Sequence, residues 1–278
     1  MSTRRDEMLR EMGLTPVWRV RALEPTATPV DAGAATPSEA PAATSDREDV
    51  NRSAHRVPST GSGHAAAPAA RQPSPVEHDD RRAAIVRMDW TVLKEAVAQC
   101  LACPLHAKRK KTVFGVGDEN AHWLFVGEGP GAEEDAQGEP FVGQAGKLLD
   151  SMLAAIRLKR GENVYIANVI KCRPPGNRNP EPDEAHKCEP YLQRQIELIA
   201  PKLIIALGRV AALNLLAREA SIASLRGRVH DYKGIPLIVT YHPAYLLRNL
   251  TDKAKAWEDL CFALETMQRL ESAAASPT

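Results

Sequence analysis

The stretch Trp123-Leu-Phe-Val-Gly127-Glu-Gly-Pro-Gly-Ala132 decides how this chain folds. A short apolar run that ends in a glycine- and proline-rich turn is typical of a strand buried on both faces. Three further apolar runs share this character and are also predicted to be strands. They cover residues 164–170, 203–208 and 237–240.

Stretches with helical spacing separate these four predicted strands. They cover residues 146–157, 182–199, 209–217 and 253–270. Strands that alternate with helices predict the α/β class, with a four-stranded parallel sheet that carries helices on both faces. In such a sheet, binding sites collect at the carboxyl ends of the strands. The polar motifs of interest all follow strand ends.

Composition divides the 278 residues unevenly. Residues 24–87 hold eight of the 21 prolines, no lysine and few apolar side chains, which predicts a disordered linker. Residues 1–23 form a short amphipathic segment before it, either a docking peptide for a protein partner, through residues 1–22, or a helix that returns to its own domain. Residues 88–275 are then expected to form one catalytic domain.

Charge and hydropathy exclude several classes of protein. The formal net charge is +1, which is unlike a uniformly basic DNA-coating protein, so any nucleic-acid surface must come from local clusters. The N-terminus has no apolar signal sequence, and no run of 18 apolar residues could span a membrane. We therefore expect a cytoplasmic protein.

Four of the five cysteines form two pairs. Cys100 and Cys103 make a C-x-x-C motif, and Cys172 and Cys188 are separated by 15 residues. Four thiolates can hold either a tetrahedral zinc ion or a [4Fe–4S] cluster. The wide second pair fits the cluster better. Cys261 lies on an apolar helix face and is expected to be a buried core residue.

The turn after the first strand matches the dinucleotide-binding pattern G-x-G-x-x-A, at Gly127, Gly129 and Ala132. Pro130 removes an N–H that would bind a pyrophosphate, and no acidic residue ends the second strand. The turn could instead bring bare backbone close to a flat ligand. Phe141, on a glycine-flanked loop downstream, would then be a stacking surface for a base.

Two polar residues at strand ends match the chemistry of a nucleobase pocket. Asn168 interrupts an apolar strand, and its amide offers an acceptor beside a donor, which matches N3–H and O4 of uracil. His242 follows the fourth strand and can donate a hydrogen bond to a developing anion. Leu246, Leu247 and Arg248 then form an apolar wedge with a cation, suited to a DNA base stack.

These motifs together resemble the family 4, iron–sulfur uracil-DNA glycosylases. The resemblance rests on the Gly127–Gly131 turn, Phe141-Val-Gly143, Asn168, His242-Pro243 and the four paired cysteines. It covers about residues 88 to 270. It implies a three-layer α/β/α sandwich and a monofunctional, monomeric enzyme that removes uracil from single- and double-stranded DNA for base excision repair.

The resemblance also implies roles for individual residues. Phe141 would stack on the flipped uracil, Asn168 would read its edge, and Glu128 and Gly129 would line the pocket. His242 would stabilise the charge that develops on uracil O2. A structural [4Fe–4S] cluster would be held by Cys100, Cys103, Cys172 and Cys188. Expected DNA contacts are Leu246, Leu247, Arg248, Lys171 and Arg173.

Two other classes of function compete with this one. One is a non-catalytic, metal-stapled nucleic-acid-binding module tethered to a replication or repair partner through residues 1–22. The other is an oxidoreductase that uses the G-x-G-x-x-A turn for a nucleotide cofactor and the cluster for electron transfer. A sister branch of the family captures DNA covalently through a histidine in the loop after the second strand. Here that loop has no histidine before His186, so covalent capture is not expected.

Overall fold

The structure is a computed structural model that describes residue 11 and residues 75–275. The predicted segment 1–23 and most of the predicted linker lie outside the described residues. The helices are α1 (Pro75–Val86), α2 (Trp90–Ala98), α3 (Ala132–Gln137), α4 (Gln144–Ala155), α5 (Pro182–Ile199), α6 (Arg209–Leu216), α7 (Ile222–Leu225), α8 (Pro243–Leu246) and α9 (Lys253–Ala275). Short 3₁₀ turns cover Pro104–Ala107, Pro175–Asn177 and Leu250–Asp252.

A six-stranded sheet forms the centre of this part of the chain. Its strands are β1 (Val116–Gly117), β2 (Trp123–Gly127), β3 (Val164–Asn168), β4 (Leu203–Leu207), β5 (His230–Tyr232) and β6 (Ile235–Thr240). Their order across the sheet is β1-β3-β2-β4-β6-β5. The four central strands run parallel, as the apolar runs predicted.

The prediction of four strands was nevertheless too low. β1 pairs with β3 and β5 pairs with β6, both antiparallel, and they close the two edges of the sheet. Each edge strand is only two or three residues long and half-buried or exposed. Neither carries an apolar run, so hydrophobic periodicity could not reveal it.

Alternation along the central strands divides the core into two halves. On β2, Leu124 and Val126 belong to one apolar cluster, and Trp123 and Phe125 to the other. This follows from the two-residue period of a strand, which sends successive side chains to opposite faces. The first cluster includes residues of α1, α2, α5 and α6, and the second includes residues of α4, α8 and α9. The predicted three-layer α/β/α sandwich is confirmed.

The ordered domain starts earlier than the composition predicted. Helix α1 falls inside the stretch 24–87, and Ile85 is 1% exposed within the first core cluster. Arg81 donates to the carbonyl of Lys187 at 2.8 Å, and Arg82 pairs with Glu189 at 2.7 Å. The linker prediction is therefore wrong for this helix. Its anchoring depends on partners more than 100 residues away, which local composition does not reveal.

Among the described residues, no helix combines the length and the apolar character that a membrane crossing needs.

Candidate active site

A cavity of about 400 Å³ opens at the carboxyl ends of β2, β3 and β6. All five residues that the sequence predicted for the pocket line it, and they arrive from four different segments of the chain. They are Glu128, Gly129, Phe141, Asn168 and His242. The volume lies in the range of small-molecule sites. The parallel strands therefore bring these residues together as the topology predicted.

Asn168 is the most deeply placed polar group in the cavity wall. It is the last residue of β3 and is 2% exposed. Its Oδ1 is buried and has no hydrogen-bond partner among the described residues. A buried amide oxygen without a partner is costly, so a donor that reached this atom would remove that cost.

Gly127, at the end of β2, makes room for two side chains of the pocket wall. A Cβ on this residue would lie 2.5 Å from Asn168 Oδ1 and 2.5 Å from Phe141 Cζ. Any other residue at position 127 would displace one or both of these side chains. The first glycine of the turn thus serves the pocket directly.

Phe141 and His242 form one side of the cavity. Their ring centroids are 5.5 Å apart with an interplanar angle of 30°. Phe141 is 6% exposed and its backbone φ is 56°. The left-handed region is unusual for an aromatic residue, so the surrounding structure must hold this conformation.

The hydrogen bond at His242 Nδ1 defines the tautomer of the ring. The backbone N–H of Ala244 donates to Nδ1 at 3.1 Å, in an N-cap of α8. Burial, with a smaller contribution from Arg248, lowers the pKa of His242 to about 4. The ring is therefore neutral at physiological pH and carries its proton on Nε2, which can donate to a ligand.

Glu128 also lines the cavity and is half-buried. Burial raises the pKa of its carboxyl group. That shift favours the protonated form more than in an exposed glutamate, so the side chain can donate as well as accept a hydrogen bond.

Glu134 binds the backbone N–H groups that a nucleotide phosphate would require. Its Oε2 accepts from Gly131 N at 3.1 Å, and its Oε1 accepts from Val142 N at 3.0 Å and Gly143 N at 3.1 Å. The G-x-G-x-x-A turn is thus joined to the Phe141 loop by a carboxylate, which would repel a pyrophosphate. The oxidoreductase alternative loses its phosphate site.

The predicted apolar wedge is only partly correct. Leu246 is 0% exposed and belongs to the core beneath α8, so the prediction that it contacts DNA is wrong. Leu247 is 42% exposed, and Arg248 is exposed at the cavity rim. The one-turn helix α8 buries one leucine and leaves the next one outside, a difference that the letters Leu-Leu do not show.

The prediction that Lys171 contacts DNA is also wrong. Its side chain is 1% exposed, and its ammonium group donates to the Asn168 carbonyl at 2.9 Å and to Gln195 Oε1 at 2.6 Å. Arg173 remains half-buried and donates to Asn177 Oδ1 at 2.7 Å. Arg173 therefore stays a prediction, whereas Lys171 is a core residue.

Several cavity residues were not identified as pocket residues from the sequence. Glu134 carried a partial signal, because an acidic residue three positions after an N-cap can accept the N-cap N–H, as Glu134 does from Gly131; glycine has no side chain to make the reciprocal bond of a capping box. The loop after β3 reaches the cavity through coil residues, whose position no periodic pattern predicts. These loop residues are Pro174, Asn177, Arg178 and Asn179, and further lining residues are Ala145 on α4 and Ala244 and Tyr245 on α8.

A second, smaller cavity is lined by the four paired cysteines. Cys100 follows α2, Cys103 precedes a 3₁₀ turn, Cys172 follows β3, and Cys188 lies on α5. Among the described residues, no three His, Cys, Asp or Glu side chains converge closely enough for one metal ion. A single zinc needs every sulfur about 2.3 Å from one centre, and a [4Fe–4S] cluster needs the same donor set of four thiolates around one centre.

Positive charges surround these thiols. Arg109 Nη1 lies 3.2 Å from Cys172 Sγ, and the backbone N–H of Lys171 donates to Cys188 Sγ at 3.3 Å. Burial raises the pKa of Cys188 to about 12 and also raises the pKa values of Cys103 and Cys172. The thiols would become ligands only with a positive centre that stabilises their thiolate forms.

Cys261 does not line this cavity. It lies on α9 and is half-buried, which is less than the fully buried position that the helix pattern predicted.

Comparison with known proteins agrees with this arrangement. Residues 114–261 match the model of the uracil DNA glycosylase superfamily. The chain is 50% identical over 159 residues to a type-4 uracil-DNA glycosylase of Archaeoglobus fulgidus, covering 54% of this chain and 79% of that protein. It is 45% identical over 166 residues to the type-4 uracil-DNA glycosylase of Thermotoga maritima, covering 59% of this chain and 86% of that protein.

A third relative extends the match further. The type-4 uracil-DNA glycosylase of Pyrobaculum aerophilum is 42% identical over 181 residues, which cover 62% of this chain and 92% of that protein. The matched region of the family model contains the pocket residues Glu128, Phe141, Asn168 and His242. The chain therefore belongs to the uracil DNA glycosylase superfamily, among its type-4 members.

Proposed function

We propose that this chain is a monofunctional uracil-DNA glycosylase, which hydrolyses the bond between uracil and deoxyribose and leaves an abasic site for base excision repair. One observation carries the proposal above the others. Asn168, whose buried Oδ1 has no hydrogen-bond partner among the described residues, lines a cavity that also contains an aromatic ring and a neutral histidine. These three groups match the edge, the face and the developing charge of uracil.

Asn168 is proposed to select the base. Its Oδ1 would accept the N3–H of uracil, and its amide N–H would donate to O4. Cytosine has no N3 proton and carries an amino group at position 4, so it would leave Oδ1 without a donor. Sites that depend on a buried polar match reject mismatched ligands by factors of about 10⁴.

His242 is proposed to stabilise the leaving group. When the glycosidic bond breaks, its electron pair passes to uracil, and the negative charge spreads over N1, O2 and O4. The neutral ring has its proton on Nε2, because Nδ1 accepts the Ala244 N–H. Nε2 can therefore donate to O2 as that charge grows, an effect of about 3 kcal/mol in comparable oxyanion sites.

Water completes the reaction at the sugar. Its oxygen forms the new bond to C1′, one of its protons stays on the new hydroxyl group, and the other passes to the uracil anion. The products are free uracil and an abasic strand. No amine nucleophile is required, which agrees with a monofunctional enzyme. Glu128 and Gly129 are proposed to complete the wall around the extruded base, with Phe141 stacked on its face.

DNA contacts are proposed at the rim of the pocket. Leu247, which precedes the rim residue Arg248, is exposed and could fill the gap left by a flipped nucleotide, while Arg248 and Arg173 could bind phosphates. Single-stranded DNA should be the easier substrate, because extrusion from a duplex costs a few kcal/mol. Both forms are expected to be accepted.

The cysteine cavity is proposed to hold a [4Fe–4S] cluster. Cys100, Cys103, Cys172 and Cys188 would be its ligands, and Arg109 would offset the negative charge of the thiolates. When bound, the cluster would cross-link α2, the segment after β3 and α5. Its proposed effect is therefore on the stability of the domain, because the cysteine cavity is separate from the cavity that would hold the base.

The test is excision from oligonucleotides that differ at one base. The protein is incubated with strands that carry uracil, cytosine or thymine at the same position and then treated with alkali. We expect cleavage at uracil only, and intact strands before alkali. Intact uracil strands, with the protein bound to DNA and the cluster absorbance present, would instead support the non-catalytic binding module.

A further inference from the structure

The position of the Phe141 ring depends on a backbone conformation that the residue itself disfavours. Its φ of 56° lies in the left-handed region, where side chains of this size are rare. The ring nevertheless lies 5.5 Å from the His242 ring, inside the cavity wall. Contacts to the backbone of this loop must therefore hold it in place.

Arg160 holds the carbonyl side of this loop. It lies beyond α4, outside the residues that line the cavity. Its Nη1 donates to the Pro140 carbonyl at 2.9 Å, and its Nη2 donates to the Phe141 carbonyl at 2.8 Å. Its Nε also donates to Asp150 Oδ1 at 3.0 Å, which fixes the guanidinium against α4. Such a planar fork can engage two successive carbonyls and a carboxylate at once.

Glu134 holds the amide side of the same loop. Its Oε1 accepts the N–H groups of both Val142 and Gly143. Four consecutive residues, 140–143, are thus bonded to two opposite charges, Arg160 at the first two carbonyl groups and Glu134 at the last two N–H groups.

The contact between this loop and Gly146 of α4 also depends on this conformation. A Cβ at Gly146 would lie 1.7 Å from the Phe141 carbonyl oxygen and 2.2 Å from its carbonyl carbon. Only glycine allows α4 to come this close. The Phe141 carbonyl group therefore lies between the helix and Arg160.

We propose that Arg160 and Glu134 are positioning residues for the aromatic surface of the pocket, which hold residues 140–143 in the strained conformation that presents the Phe141 ring to the base. This inference rests on the proposed function. Neither residue needs to touch the reacting bond, because each acts through the Phe141 backbone. A displacement of about 1 Å in such a group can cost about 100-fold in rate.

The test compares Arg160→Met with Arg194→Met in single-turnover excision of uracil. Arg194 is a matched control, since it also donates to a backbone carbonyl, that of Met88 at 2.7 Å, and its side chain is 21% exposed against 23% for Arg160. We expect Arg160→Met to lower the maximal rate by about 10- to 100-fold. The DNA concentration at half-maximal rate should change less than about twofold, because the rim contacts are intact, and Arg194→Met should stay near wild type.

A double-mutant cycle with Phe141→Ala identifies the route of the effect. If Arg160 acts through the ring, Arg160→Met should cause little further loss once the ring is gone. Arg160→Lys, which keeps the charge but cannot bind both carbonyls, should recover only part of the rate, and it carries the same test if Arg160→Met does not fold.

Each outcome has a distinct meaning. A wild-type protein that does not excise uracil would overturn the proposed function. A wild type that excises uracil, with Arg160→Met and Arg160→Lys equal to Arg194→Met, would overturn the positioning role alone. Losses from Arg160→Met and Phe141→Ala that simply add would also overturn it.

Discussion

The uracil pocket and the cysteine cavity lie at the two ends of the same short segment, 168–172, yet they are built differently. In the pocket, the protein itself supplies the bonds that fix the important groups: Ala244 orients His242, and Arg160 and Glu134 hold the Phe141 loop. One acceptor, on Asn168, is left for the ligand. The pocket is complete before a base arrives.

In the cysteine cavity, by contrast, the balance of charge depends on a bound group. Burial raises the pKa values of three of its thiols, and Arg109 and the buried Lys171 lie beside them. Burial lowers the pKa of Lys171 to about 8, while nearby thiolates would raise it again. The charges of this site are balanced only when a bound group turns the thiols into thiolates. A preformed pocket and a ligand-dependent core site should therefore fail in different ways.

The largest expected effect is on the pocket. Asn168→Ala should lower the single-turnover rate of uracil excision by about 10³-fold, because it removes the group proposed to match the uracil edge. The thermal midpoint should change little, since Oδ1 makes no hydrogen bond among the described residues that folding would lose. Excision assays and thermal unfolding on the same preparation measure both quantities. A rate within about tenfold of wild type would remove Asn168 from base recognition.

The next effect is on the cysteine cavity. Cys188→Ser should abolish the broad visible absorbance that the proposed cluster would give. It should also destabilise the domain, because loss of the cluster leaves Lys171 and Arg109 without thiolate partners. Breaking a buried ion pair costs about 3–5 kcal/mol, and at about 2–4 °C per kcal/mol the midpoint should fall by about 6–20 °C. Spectroscopy and calorimetry measure the two losses.

The control for that change is Cys261→Ser, on α9. Cys261 does not line the cysteine cavity, so absorbance should be retained and the midpoint should move by only a few degrees. Equal absorbance in Cys188→Ser and wild type would contradict the assignment of Cys188 as a ligand.

The pH dependence of His242 tests the pocket separately from the cysteine cavity. Its folded pKa is about 4, below the ordinary value near 6.5, so between these values the unfolded state binds more protons. The stabilising contribution of the neutral ring is therefore present above pH 6.5 and is lost as the pH falls toward 4. An NMR titration of the imidazole should give a midpoint near 4, and the excision rate should show no midpoint near 6.5. A midpoint near 6.5 would show that the ring is not held neutral by its surroundings.

The smallest expected effect is at the rim. Arg248→Ala should weaken DNA binding about two- to tenfold and reduce the slope of log K against log salt by about one. Arg269→Ala, an exposed arginine far along α9, is the matched control and should leave the slope unchanged. Equal slopes in the two variants would remove Arg248 from the phosphate contacts.

How far the sequence could predict this molecule also differs between regions. The central strands and the three layers follow from apolar runs, and Asn168, His242 and Phe141 follow from polar strand ends and a glycine-flanked loop, which are local signals. The pocket positions of Glu128 and Gly129 were implied by the family resemblance.

Strand β5 pairs with its neighbour β6 and was missed because its three half-buried or exposed residues carry no apolar run. Strand β1, helix α1 and the burial of Lys171 and Leu246 were missed because each depends on partners elsewhere in the chain. Lys171 is the clearest case: a lysine next to arginines reads as a surface cation, and only its bonds to Asn168 and Gln195 reveal a core residue.

Single-turnover release of the free base is the most direct test of the central claim. Wild-type protein is mixed in excess with an oligonucleotide that carries one uracil, and the released base and the alkali-labile sites are counted over time. The account predicts one free uracil for each alkali-labile site, formed at the same rate, with the strand unbroken before alkali. This prediction is contradicted if all of the uracil is still found within the strand although the protein carries its cluster and binds the DNA.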